Sequence, residues 1–201
     1  MLAAAAVALA GAAARAQQAS LNSYAMPGLI DMPSAEALPD AQMSGTVAYF
    51  ASSGRIQATF QALPRLTGTF RYSVLRDCNC FGFQHYYDRS VDVQYQLLTG
   101  SGLWPAVAVG IRDIGGTGIY GAEYIVATSR LPGGMRVSGG LGFGRLGSFG
   151  GFANPFGLNR RPRWRGGTGG QLGADRWFRG PAALFGGIEW RSPGGRWTLK
   201  A

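Results

Sequence analysis

The sequence predicts an all-β fold: an antiparallel, up-and-down transmembrane β-barrel of which about eight to nine strands are visible. Three observations predict it. Segments of about ten residues alternate apolar and polar side chains from about Gln42 to Lys200. Charges in the strand bodies fall opposite the apolar rows. The connections are short at one end and include the long ones at the other.

Taken in order, the first strand covers about 42 to 50 and leads to a connection at Ala51 to Gly54. In the second, Ile56, Ala58, Phe60 and Ala62 oppose Arg55, Gln57, Thr59 and Gln61, since successive side chains on a strand point to opposite faces. After the tight Pro64-Arg65 turn, Leu66, Gly68, Phe70, Tyr72 and Val74 oppose Thr67, Thr69, Arg71 and Ser73. The fourth sets Val91, Val93, Tyr95 and Leu97 against Asp92, Gln94 and Gln96, and the fifth sets Val107, Val109 and Ile111 against Ala106, Ala108, Gly110 and Arg112. Tyr120, Ala122, Tyr124 and Val126 then face away from Glu123, and Val137, Leu141 and Phe143 away from Arg136 and Ser138. Leu184, Ile188 and Trp190 oppose Glu189 and Arg191, and Arg196 to Ala201 begins a further strand, which points to a larger barrel than these residues complete.

Connection lengths give an independent test, because outer-membrane barrels have short periplasmic turns and longer external loops. On the side that a secreted N-terminus makes external lie Arg76 to Arg89, long, and Leu146 to Pro181, very long, with the short Ala51 to Gly54 and Ile114 to Thr117. Pro64, Thr99 to Leu103, Leu131 to Gly134 and Ser192 to Gly195, all short, fall on the other. A soluble β-sandwich in the periplasm, the alternative fold, would not produce that parity.

Residues 1–16 read as a signal peptide: an alanine-rich apolar run ends in Ala14, Arg15 and Ala16, with cleavage expected before Gln17. The run is short of the roughly 20 residues a membrane-spanning helix needs. No Cys follows the cleavage site, so a lipid anchor is not expected there. Residues 17–41 form a lead-in and 42–201 the barrel portion. Glycine, at 33 of 201 residues, is more than twice its usual share. Its recurrence at Gly139, Gly140, Gly142 and Gly144 suits strand curvature or close backbone approach.

The phrases SLNSYAMPGLIDMPSAEALPD at Ser20 to Asp40, YDRSVDVQYQLL at Tyr87 to Leu98, PAVAVGIRDIGGTGIYGAEYIVATSR at Pro105 to Arg130 and GGLGFGRLGS at Gly139 to Ser148 resemble the YjbH-type exopolysaccharide biosynthesis proteins. The resemblance implies an outer-membrane barrel encoded with capsule and exopolysaccharide genes, related to the GfcD-type capsule proteins. It implies a Gram-negative outer membrane, lipopolysaccharide and other polysaccharide-export proteins as surroundings, and a longer full protein. Ala41 stands where the family pattern has Gly.

In the lead-in, Pro27-Gly28 and Pro33-Ser34 are turn signals around Leu29, Ile30 and Met32, which do not alternate. Such a segment either plugs the barrel mouth or straps its rim. Arg71, Asp92, Arg112, Glu123, Arg136, Glu189 and Arg191 would line the lumen, there to guide a hydrated polymer or to close the interior through ion pairs.

The net charge of +9 is carried by arginine, with Lys200 the single lysine. Its densest cluster is Arg160, Arg161, Arg163, Arg165, Arg176 and Arg179, interleaved with Trp164, Trp177 and Phe178. Guanidinium forks pair with carboxylate or phosphate and indoles stack on sugars, so an acidic exopolysaccharide or lipopolysaccharide suits the loop as a ligand. A plain solvated arginine loop is the alternative. Nucleic acid is not expected outside the cell.

No catalytic motif is present. Asp92, Asp113 and Glu123 could supply a carboxylate pair, but nothing in their spacing distinguishes them from structural ion pairs. Cys78, Cys80 and His85 are the only nitrogen or sulfur ligands, short of the four a structural zinc prefers. One residue between the two cysteines makes a strained ring if they oxidise. No enzyme, cofactor or metal is expected. Two functions stand: a barrel assisting export or surface assembly of an exopolysaccharide, and a non-conducting structural or glycan-binding barrel.

Overall fold

The computed structural model describes residues 19–80, 82–102, 104–162 and 172–201, with the side chains of residues 78–80 and 83 outside that description, so the predicted signal peptide and the pairing of Cys78 with Cys80 lie outside the described residues. Two strands, β1 (Gly28–Leu29) and β2 (Met32–Pro33), form a small hairpin in the lead-in. Nine more make one antiparallel meander: β3 (Met43–Phe50), β4 (Ser53–Leu63), β5 (Leu66–Cys80), β6 (Phe83–Ser101), β7 (Trp104–Arg112), β8 (Ala122–Leu131), β9 (Met135–Gly144), β10 (Ala182–Arg191) and β11 (Thr198–Lys200).

The sheet is open. Its order runs from β3 to β11 without a pairing between those two, so the closed barrel is not formed by these residues. Alternation determines which way each side chain points; closure depends on hydrogen bonds between the edge strands, and β11 spends its three residues on β10, from Glu189↔Lys200 to Arg191↔Thr198. Among the described residues no helix is long and apolar enough to cross a membrane.

The sheet is nevertheless strongly curled. β4 and β11 are seven strand spacings apart, roughly 34 Å across a flat sheet. Yet Gln57 on β4 donates to the Ser23 carbonyl at 3.2 Å, and Lys200 on β11 donates to the Leu21 carbonyl at 2.9 Å. Two residues of chain span at most about 7 Å, so both edges must bend toward the same short segment.

The face wrapped around the lead-in is polar. On β4 the burial alternates strictly: Gln57, Thr59 and Gln61 are buried, whereas Ile56 is 64% exposed and Phe60 44%. Thr67, Thr69, Arg71 and Ser73 of β5 and Asp88, Ser90, Asp92, Gln94 and Gln96 of β6 continue the buried polar surface. Outward stand Val47, Phe70, Val91, Leu184 and Ile188, all exposed. Apolar surface in water is unfavourable and buried polar groups are costly unless hydrogen-bonded. The sheet thus presents its apolar rows outward and its polar rows to the face that it wraps around the lead-in.

Two expectations about elements are corrected. Arg76 to Arg89 is not a long loop: β5 and β6 continue as one hairpin, pairing Arg76↔His85 and Cys80↔Phe83, because the Tyr86-Tyr87 stretch is as compatible with extended backbone as the strands below it. And β8 is turned over. Arg112 pairs with Ala122 and Gly110 with Tyr124, so Ala122, Tyr124 and Val126 share the inner face with Arg112, and Glu123 stands on the outer one. Alternation fixes parity, not which row looks inward. Here Tyr124 donates its hydroxyl proton to Gln94 Oε1 at 2.8 Å, and Gly110 leaves the room: a Cβ there would meet the Tyr124 ring at 2.3 Å. Gly140 and Gly142 serve the same purpose beneath Phe185 and Leu146.

Candidate functional site

The lead-in builds the inner site. Asn22 organises it: its Oδ1 accepts from the backbone N–H groups of Tyr24 and Met26, an Asx-type turn that places Ala25 at φ 57°. The turn delivers the Tyr24 ring into a cage of guanidinium groups. Arg112 lies 4.1 Å from its centroid, Arg55 4.5 Å and Arg71 5.0 Å, with Tyr120 edge-on at 5.8 Å. Each cation over a ring face contributes roughly 0.5–2 kcal/mol, more as water is excluded.

Backbone groups of the lead-in are satisfied by polar side chains of the strands. Thr59 donates to the Ala25 carbonyl, Gln94 to that of Glu36, Gln96 to that of Ala35 and Arg112 to that of Asp31. In return the Ala35 N–H donates to Thr128 Oγ1 and the Leu38 N–H to Gln61 Oε1. Apolar packing adds Ala35 against Ala106, Ala108, Tyr124 and Val126.

Of the residues predicted to line a lumen, the structure brings six to the inner face and separates one. Arg71 and Asp92 form a fully buried pair at 2.6 Å. Arg136 bridges Glu189 at 2.7 Å and Glu36 of the lead-in at 3.3 Å, and Arg191 lies 3.7 Å from Glu189. Ser20 also donates to Glu189. Arg112 joins the Tyr24 cage. Glu123 is the exception and a correction: it pairs in register with Ile111 and Phe143 on the opposite face, where the Arg161 guanidinium holds it at 2.6 and 2.9 Å and the Phe178 N–H donates to it at 3.0 Å. It is buried by the long connection rather than by a lumen.

The residues that fasten the lead-in, Tyr24, Glu36 and Arg55, were not among the sequence candidates. Glu36 carried a signal: a lone carboxylate in an apolar stretch of a chain rich in inward arginine. At the end of β7, Asp113 adopts φ 61°, donates its N–H to Asp92 and accepts from the Tyr120 N–H. Burial, and next the neighbouring Asp88, push its carboxyl up to about 7, against the pull of Arg71.

The second candidate site is the 145–181 connection. Arg160 is exposed, Arg161 is committed to Glu123, and Arg176, Trp177 and Arg179 are half-buried, while Arg163, Trp164 and Arg165 lie outside the described residues. Phe178 packs edge-on against Phe143 at 5.5 Å and Phe156 stacks on Phe143 at 5.9 Å, anchoring the connection to β9. Among the described residues no group of three His, Cys, Asp or Glu side chains converges as a metal site.

The family model for YjbH, described as exopolysaccharide biosynthesis protein YbjH, matches residues 20–201, lead-in and sheet together. The chain belongs to this family. A relative, the uncharacterized lipoprotein YjbH of Escherichia coli K12, is 34% identical over 184 residues, which are 87% of this chain and 26% of that protein. The chain thus spans about a quarter of the length of the curated relative it matches. No solved structure matches the chain. The matched region takes in both the caged segment and the strands that cage it.

Proposed function

We propose that this chain is a wall of an outer-membrane β-barrel that serves production, export or surface assembly of an exopolysaccharide, with the segment from Ser20 to Asp40 occupying the interior. One observation carries the reading: the apolar rows face out, exposed, while Arg71, Asp92, Arg136 and Glu189 are buried on the face that wraps the lead-in. That is the distribution hydrocarbon outside and a polar lumen inside require. The unpaired edges of β3 and β11, in a chain that spans 26% of its relative, support further strands of a longer protein completing the ring. The relative's name, a lipoprotein, and the family description support a cell-envelope site of action in polysaccharide production.

In this arrangement the connections at 51–52, 81–82, 113–121 and 145–181 share one end and face the cell exterior, and the short turns face the periplasm. The lead-in acts as a stopper held by charge. A polymer passes only when Glu36 leaves Arg130, which holds it at 2.9 Å, and Arg136, and when Tyr24 leaves its cage. A second reading has its own support. The lead-in's contacts reach from β4 to β11, and such a filled interior suits a structural barrel that binds glycan without conducting.

The test of insertion is flotation of the refolded chain with phospholipid vesicles. The proposal expects co-flotation that survives urea; protein that stays soluble without detergent overturns it. For conduction, the full-length protein in planar bilayers is compared with its Glu36→Gln variant. A rise in current in the variant supports the stopper, and two silent proteins support the structural reading.

A further inference from the structure

The 145–181 connection encloses a cleft of about 330 Å³ between its two ends, lined by Gly144, Gly147, Ser148, Gly151, Arg161 and Arg179 with Pro181. That is within the roughly 300–1,000 Å³ of small-ligand sites. Its floor is preformed, because the chain crosses itself there at glycine distance: a Cβ on Gly147 would meet the Pro181 carbonyl oxygen at 2.4 Å. Among the described residues two guanidinium groups and no carboxylate line it. Arg161 is neutralised by Glu123 behind the wall. Arg179 meets no carboxylate among the described residues, so the cleft keeps an uncompensated positive charge. Burial and then the neighbouring Arg161 hold Arg176 below the usual guanidinium range, against the pull of Glu123 and Asp175. Phe149, between the lining residues Ser148 and Gly151 in the sequence, is 92% exposed.

We propose that this cleft binds the anionic substituent of a sugar, with the Arg179 fork on the carboxylate or phosphate, the Ser148 hydroxyl, whose own proton goes to the Arg145 carbonyl, accepting from a sugar hydroxyl, and Phe149 against the sugar face. Planar guanidinium suits such groups because it donates two parallel hydrogen bonds. An aromatic ring and bare backbone accept the rest of a pyranose without a large apolar pocket. The proposal rests on the exopolysaccharide reading for its ligand class, and it assigns the sugar contact to the cleft rather than to the lumen.

The experiment is calorimetric titration of the chain in detergent micelles at low salt with a galacturonate tetramer, with its neutral methyl ester, and with purified lipopolysaccharide. The expected result is binding of the acid and not of the ester. Arg179→Gln should weaken it roughly tenfold or more, and Arg65→Gln, at the Pro64-Arg65 turn on the opposite end, should leave it unchanged. Binding of lipopolysaccharide alone, lost in Arg179→Gln, keeps the anion site and assigns it to membrane glycolipid instead of exported polymer. Equal binding of acid and ester, or equal losses in both variants, overturns the cleft. Vesicle flotation of the same preparation separates the two ideas: a chain that floats but does not bind loses only the cleft, and one that binds but does not float loses only the barrel.

Discussion

The lead-in and the outward rows of the sheet are both apolar, yet they meet opposite fates. Tyr24, Ala25, Met26, Leu29, Ala35 and Leu38 are buried, whereas Val47 is 80% exposed and Leu184 77%. The difference lies in what each can reach. The lead-in is short, turns on Asn22 and offers backbone carbonyls to the polar inner face, so its apolar side chains enter with their peptide groups satisfied. Apart from the Phe143 end, which the 145–181 connection covers, the outward rows have no described element over them, and only the edge strands β3 and β11 lack a second strand neighbour. One region is therefore apolar matter inside a polar vessel, and the other is the vessel's outer coat.

The largest expected effect is on the vessel. Removing one partner of a buried pair leaves an uncompensated charge, costing about 3–5 kcal/mol. Arg71→Ala and Asp92→Ala should each lower the unfolding free energy from urea titration in micelles by that amount, and the double variant should lose less than the sum of the two. Additive losses would mean that the 2.6 Å pair is not an energetic unit. Next comes the coat. Phe70→Arg should cost about 2–4 kcal/mol when the chain sits in a bilayer and under about 0.5 kcal/mol if that surface meets only water, a contrast readable from unfolding in vesicles. Third is the grip on the lead-in. Tyr24→Leu keeps apolar volume but discards the ring face under three cations, a loss of about 1–2 kcal/mol, while Tyr24→Phe should restore stability. Equal losses in both would point to the hydroxyl rather than the cage.

The remaining signal is a slope with pH, spread over several units. Asp113 is raised to about 7 in the fold, above its ordinary 3.8. Between these values the native state holds the proton more tightly than the unfolded one. Stability is then greatest below the unfolded value, falls as pH rises through the window by at most about 1.4 kcal/mol per pH unit, and is flat above 7. Unfolding midpoints from pH 4 to pH 8 test this, with Asp113→Asn expected to flatten the curve.

Much of the sheet was legible because period two needs only local information. The strand expected at about 42 to 50 is β3, and the inward placement of Arg71, Asp92, Arg112, Arg136 and Glu189 follows from alternation once the charged row is assigned to the inner face. What needed three dimensions was lost. Tyr124 and Val126 look like a lipid-facing row until Gln94 and Ala35 are seen to claim them, and with that Glu123 moves to the other face. The tie from Arg161 to Glu123 joins residues 38 apart and leaves no trace in either local pattern. Ring closure was beyond reach too, since it concerns a partner for β3 and not the pattern within it.

The central claim is that the outward rows lie against hydrocarbon. With Cys78 and Cys80 replaced by Ser, a single Cys placed in turn at Phe70, Ile125 and Leu184, and at Ser90 and Ser138 of the inner face, can carry an environment-sensitive fluorophore in vesicles with brominated acyl chains. The account predicts quenching at the three outward positions and none at the two inward ones. Equal, weak quenching at all five would contradict it.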